Sequence, residues 1–126
     1  MALIEESLPT LNFARVRINT SGFSTRILNR IHAAGVTIGH YIFVTPQYSN
    51  FKSLQSLAVI AHELKHVEQV ERLGFIHNAL SYTREFALHG FKYSMDLPLE
   101  KEAYDFERII IKRYIQLSND LARTRR

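Results

Sequence analysis

Cysteine is absent from this 126-residue chain. That removes a thiol nucleophile, a cysteine zinc cluster and a disulfide framework together. Any metal must be held by histidine and carboxylate side chains. The composition fits a reducing compartment. Long apolar runs are missing too: no stretch of about 18 apolar residues could cross a bilayer. The opening MALIEESLPTLNF has two acidic residues and no basic cluster, so it does not read as a secretory signal. These absences point to a cytoplasmic protein, with delivery by a specialised system left open. Internal repeats and low-complexity linkers are also lacking.

Hydrophobic residues make up 46% of the chain, enough for one compact domain over residues 1–126 without disulfides. Residues 1–10 read as a loose lead-in and 122–126 as a basic tail. The formal charge of +4 is modest, and Arg123, Arg125 and Arg126 sit in that tail. It reads as a solvated helix end, so no nucleic-acid partner is expected. The sequence leaves the oligomeric state open.

Hydropathy patterning gives the order of elements. Phe13 to Asn19 alternates, with Ala14, Val16 and Ile18 on the inward side, and predicts a short strand. Thr20-Ser21-Gly22 is a turn. Phe23 to Ala34 predicts an amphipathic helix with Phe23, Ile27, Ile31 and Ala34 on one stripe, stopped by Gly35. Val36 to Val44 is β-branched and aromatic, and predicts one strand or two short ones kinked at Gly39, ended by Pro46. Residues 54–73 form an unbroken helical pattern without Gly or Pro, stopped by Gly74. Leu57, Ile60, Ala61, Leu64, Val67 and Leu73 give it a buried face. Residues 75–90 read as a further helix. A last helix starts near Pro98, capped by Ser94 or Asp96, and runs to about Leu121 with Ala103, Phe106, Ile110, Tyr114 and Leu117 as its stripe. The predicted class is α+β, a small sheet packed against helices.

The 54–73 helix carries His62-Glu63-Leu64-Lys65-His66. Histidines four apart lie one turn apart on a helix face, where both imidazoles can meet one ion. A carboxylate following the first histidine can deprotonate a water beside that ion. H-E-x-x-H therefore points to zinc hydrolase chemistry, with His62 and His66 as ligands and Glu63 as general base. Lys65 and Glu68 are charged at positions expected to face solvent.

Catalytic zinc usually needs a third protein ligand. His77 stands eleven residues after His66, the wrong spacing for a third histidine on the same motif. Glu100 is the preferred candidate: it opens the last helix and shares a face with Ala103, Tyr104 and Glu107. Glu102 is the second candidate, about 200° away around that helix. His89 and Asp96 follow if neither serves. For stabilising a tetrahedral intermediate, Tyr82, His89, Tyr93 and Tyr104 are candidates. His89, before Gly90 in an expected turn, stands beside Glu63 as the catalytic candidate. Gly39 to Val44 is a candidate edge strand for an extended peptide, and His40 at its start is expected to be exposed.

The pattern resembles gluzincin zinc peptidases, whose second helix reads E-x-x-A-D. Here Glu100-Lys101-Glu102-Ala103-Tyr104 keeps the glutamate and alanine and has tyrosine for the aspartate, so Asp105 or Glu107 would orient the histidines. A closer resemblance is to the metallopeptidase core domain of extracellular contractile injection system components. That family shows G-x-x-I-x-x, then L-A-H-E-L-x-H-V-x-Q, then E-x-E-A. This chain has Gly39 to Val44, then Ile60-Ala61-His62-Glu63-Leu64-Lys65-His66-Val67-Glu68-Gln69, then Glu100 to Ala103. The resemblance spans about residues 35–107 and implies a zincin-like fold, bound Zn2+ and cleavage of a peptide or protein substrate. A catalytically silent zinc-binding structural or interaction module is the alternative. Glu63 favours the enzyme, because a structural site needs no base.

Overall fold

A computed structural model describes residues 2–20, 25–26, 28–29, 34–48, 53–74 and 97–125. Helix α1 (Ala2–Ser7) leads to a 3-10 turn (Phe13–Arg15) and strand β1 (Arg17–Asn19). Residues 25–26 and 28–29 are helical. A hairpin of β2 (Gly35–Ile38) and β3 (Tyr41–Val44) follows, then helices α2 (Leu54–Leu73) and α3 (Pro98–Thr124). A three-stranded mixed sheet packed against helices makes the fold α+β, as the patterning predicted.

The strand order is β1-β3-β2, with β3 parallel to β1 and antiparallel to β2. Gly39 (φ 61°) takes the left-handed conformation of the two-residue reversal. The chain therefore turns back at Gly39, where the pattern allowed one strand or two. This placement corrects the edge-strand expectation. β3 is the central strand, hydrogen-bonded on both sides, and β2 is an edge among the described strands.

Two other expectations change. Residues 1–10 are not a loose lead-in: Ile4 and Leu8, one turn apart, are buried in the core beside Leu11. Packing, not propensity, orders so short a helix. The strand predicted from Phe13 is reduced to Arg17–Asn19, and Ala14 and Ile18 face outward. Val16 packs against the core as predicted, joined by Phe13 from the opposite side of the alternation. Gly35 opens β2, and the end of the helix it was expected to stop lies outside the described residues. Of the stripe predicted before it, Phe23, Ile27 and Ile31 lie outside the described residues, as does the helix predicted over 75–90.

α2 has the predicted bounds. The Ser53 hydroxyl accepts from Ser56 N–H, satisfying one free donor of the first turn, and Gly74 (φ 82°) ends the helix. Its apolar face is buried as predicted except at Leu73. Ile60, Ala61, Leu64 and Val67 pack with Ile42 and Val44 of β3 and with Phe106 and Ile110 of α3. α3 starts with Pro98 at its first position and continues to Thr124. Its stripe is buried only at Ala103, Phe106 and Ile110; Tyr114 and Leu117 are exposed. No helix among the described residues is long and apolar enough to cross a membrane.

Candidate metal centre

α2 and α3 cross antiparallel. Glu102 near the start of α3 meets Arg72 near the end of α2, and Glu107, further along, meets His62. Ala103 on α3 is fully buried, and its side chain is only a methyl group. The crossing carries Glu100 between the two histidines. Its Oε2 lies 3.2 Å from His62 Nε2 and its Oε1 3.0 Å from His66 Nε2. The two Nε2 atoms are 3.2 Å apart. Ligand atoms of His62, His66 and Glu100 all fall within 4.8 Å of one another, close enough to bind one metal ion.

The surrounding groups suit that use. His62 Nδ1 faces Glu107 Oε2 at 3.2 Å, and His66 Nδ1 faces Gln69 Oε1 at 2.8 Å. An oxygen acceptor at Nδ1 keeps the ring proton there and leaves the Nε2 lone pair for a cation. Gln69 also donates to Leu99 O (3.0 Å) and Glu102 Oε1 (3.2 Å), tying its imidazole partner to the start of α3.

Electrostatics point the same way. Burial alone would lower the His62 pKa, but hydrogen bonds to Glu100 and Glu107, with the Glu63 charge, raise it to about 9. His66 is raised as well, because Glu100 and Glu63 outweigh its burial. Burial pushes the Glu63 carboxyl up, opposed by His66, Thr37 and His62. Three carboxylates surround two imidazoles, and the cluster draws positive charge to itself. Without a metal, a proton on His62 supplies positive charge there.

Glu63 stands beside the triad and is buried. Thr37 Oγ1 of β2 lies 2.6 Å from Glu63 Oε2 and 3.1 Å from the Glu63 carbonyl. A Cβ added at Gly35 would come within 3.0 Å of Glu63 Cγ. The edge strand therefore presses against the Glu63 side chain and fixes where it sits.

The structure brings together His62, Glu63, His66 and Glu100. Glu102 is elsewhere, half-exposed and engaged with Arg72, Gln69 and Lys65. Asp105 pairs with Arg108 on the surface, so the orienting carboxylate is Glu107. Glu68 does not face solvent as predicted; it is buried between Lys65 (3.1 Å) and Arg72 (3.4 Å). His40 is mostly covered, its Nε2 2.8 Å from Glu71 Oε1. The Tyr104 ring packs edge-on to His62, centroids 4.4 Å apart. His77, Tyr82, His89, Tyr93 and Asp96 lie outside the described residues. Gly35, Thr37 and Gln69 were not singled out as site residues. Gln69 carried a signal, standing three residues after His66 at the end of the motif string. Gly35 and Thr37 carried none, because they reach Glu63 across more than 25 residues of chain.

No curated protein and no solved structure matches this chain. The family model of the eCIS core domain covers residues 2–74, from the start of α1 through the whole H-E-x-x-H helix and its glycine stop. With more than half of its length matched in this way, the chain belongs to the eCIS core domain family.

Proposed function

We propose that the protein is a zinc-dependent peptidase, with His62, His66 and Glu100 as ligands and Glu63 as general base. Two imidazole nitrogens and one carboxylate suit zinc better than calcium or magnesium, which prefer oxygen alone. When bound there, zinc supplies Lewis acidity and lowers the pKa of a water toward about 7.

The observation that carries the reading is the placement of Glu63. It is buried beside the triad, and its Oε2 is held by Thr37. Among the described residues, Glu100 is the carboxylate that lies against both imidazoles. A site that merely stabilised the fold would have no use for this additional buried carboxylate. Glu63 Oε1 accepts a proton from the attacking water and delivers it to the leaving amine. Burial and the Thr37 hydrogen bond limit its rotamers, so it meets the water without reorganising. Glu107 and Gln69 hold the imidazoles in orientation. The substrate is an extended peptide that adds to the edge of β2, bringing its carbonyl past Thr37 toward Glu63. Membership of the eCIS core domain family supports a role within a multiprotein injection system.

The test is zinc content with and without chelator, beside a peptide-cleavage screen of wild type and Glu63→Gln. Zinc-dependent cleavage that Glu63→Gln abolishes supports the enzyme. Zinc retention with no cleavage of any peptide supports a silent module.

A further inference from the structure

α3 is longer than the helix it packs against. From the Glu107–His62 contact it continues 17 residues to Thr124, whereas α2 has eight residues back to Leu54. The difference is about 13 Å of helix. The buried face does not end with the core. Ala103, Phe106 and Ile110 are sealed, and the same face continues as Tyr114 (47% exposed), Leu117 (51%) and Leu121 (60%). The spacing from Ile110 through Leu121 is 4, 3, 4, the repeat of a helix–helix seam. Ile109 and Ile115 are exposed singly off that line.

Width and charge select the occupant. Tyr114, Leu117 and Leu121 span only about 60° of the helix. Helices lying on a membrane bury a broader apolar face, whereas a seam this narrow is matched by one partner helix. From Lys112 to Arg126 the chain has five basic residues and one acidic residue, Asp120. Arg113 and Arg125 flank the stripe on opposite sides, Arg113 sharing its flank with Asp120 and donating to Ser7 Oγ (3.2 Å). A second copy of this chain would set like charges against each other; an acidic helix would pair them. We propose that the exposed end of α3 docks an amphipathic helix of a partner protein, with an apolar seam and acidic flanks.

The test uses the full chain and a synthetic three-heptad helical peptide with leucine and isoleucine in its seam and glutamate on its flanks. The wild type should bind it, with affinity falling at least about tenfold in Leu117→Glu/Leu121→Glu and falling again in about 0.5 M salt. Both substituted positions are exposed, so zinc content and circular dichroism should match wild type. A peptide with lysine flanks should not bind. No binding of the glutamate peptide, or equal binding by the double variant, overturns the proposal. So does stripe-dependent self-association in sedimentation, which makes the occupant a second copy. Stripe-dependent binding to vesicles of anionic phospholipid, with none to the peptide, makes it a membrane and equally overturns the proposal.

Discussion

Thr37 Oγ1 lies 2.6 Å from Glu63 Oε2, a contact between an edge strand and the H-E-x-x-H helix. It gives the hairpin a role in the site as well as in the sheet. The hydroxyl donates to the carboxylate and favours its ionised form against the cost of burial. Thr37→Val keeps the side chain's shape and removes the donor. Peptide cleavage should fall about tenfold with zinc content unchanged, and Thr37→Ser should restore most of it. Full activity in Thr37→Val would show that the contact does not tune the base.

Gly35, on the same face of β2 as Thr37, meets the same side chain. Its conformation is open to any residue; the constraint is space. Gly35→Val should displace Glu63, with a stability loss of about 1–3 kcal/mol measured by denaturant unfolding. Cleavage should fall by more than the folded fraction falls.

Removal of a ligand should cost more than removal of an orienting group. His62→Ala, His66→Ala and Glu100→Ala should each weaken zinc binding beyond the roughly 10–100-fold expected of Gln69→Leu or Glu107→Gln. Glu102→Ala should bind zinc as wild type does, because Glu102 is turned toward Arg72. Zinc titration with a competing chelator reads all six. Wild-type affinity in Glu100→Ala would remove the proposed third ligand.

Glu63→Gln should keep zinc and fold while losing about 10²–10⁴ in cleavage. Zinc content and cleavage measured on one preparation separate this outcome from a folding defect.

The metal-free protein should respond to pH in a defined direction. Folding raises the His62 pKa from 6.5 to about 9. Its contribution to stability is therefore complete below 6.5 and is lost as pH rises through about 9. Thermal melts of chelated protein should show Tm falling across that window. Zinc must displace this proton, so apparent zinc affinity should rise over the same range, about tenfold per pH unit for one proton released. The opposite signs of the two trends are the check.

Local chemistry was legible in the chain. α2 was readable from end to end because its stop is a glycine and its interior lacks helix breakers. The i, i+4 spacing alone put His62 and His66 on one face. The β character of residues 36–44 was also legible, but the full reversal at Gly39 was not: short-range pattern allowed one strand or two kinked there. α1 was missed because six residues carry too little periodicity, and its order comes from Ile4 and Leu8 meeting the core.

The sequence by itself determined the hydrolase-type motif, the two elements that would carry its carboxylates, and the exclusion of cysteine chemistry. It also narrowed the third group to a few acids. Tertiary structure decided which acid faces the histidines. Glu100 and Glu102 are both acids in one helix, and only the antiparallel packing of α2 and α3 turns Glu100 to the histidines and Glu102 out to Arg72. The same holds for Gly35 and Thr37. Their effect on Glu63 depends on which strand lies at the sheet edge beside α2, and strand order is set by the packing of the whole domain.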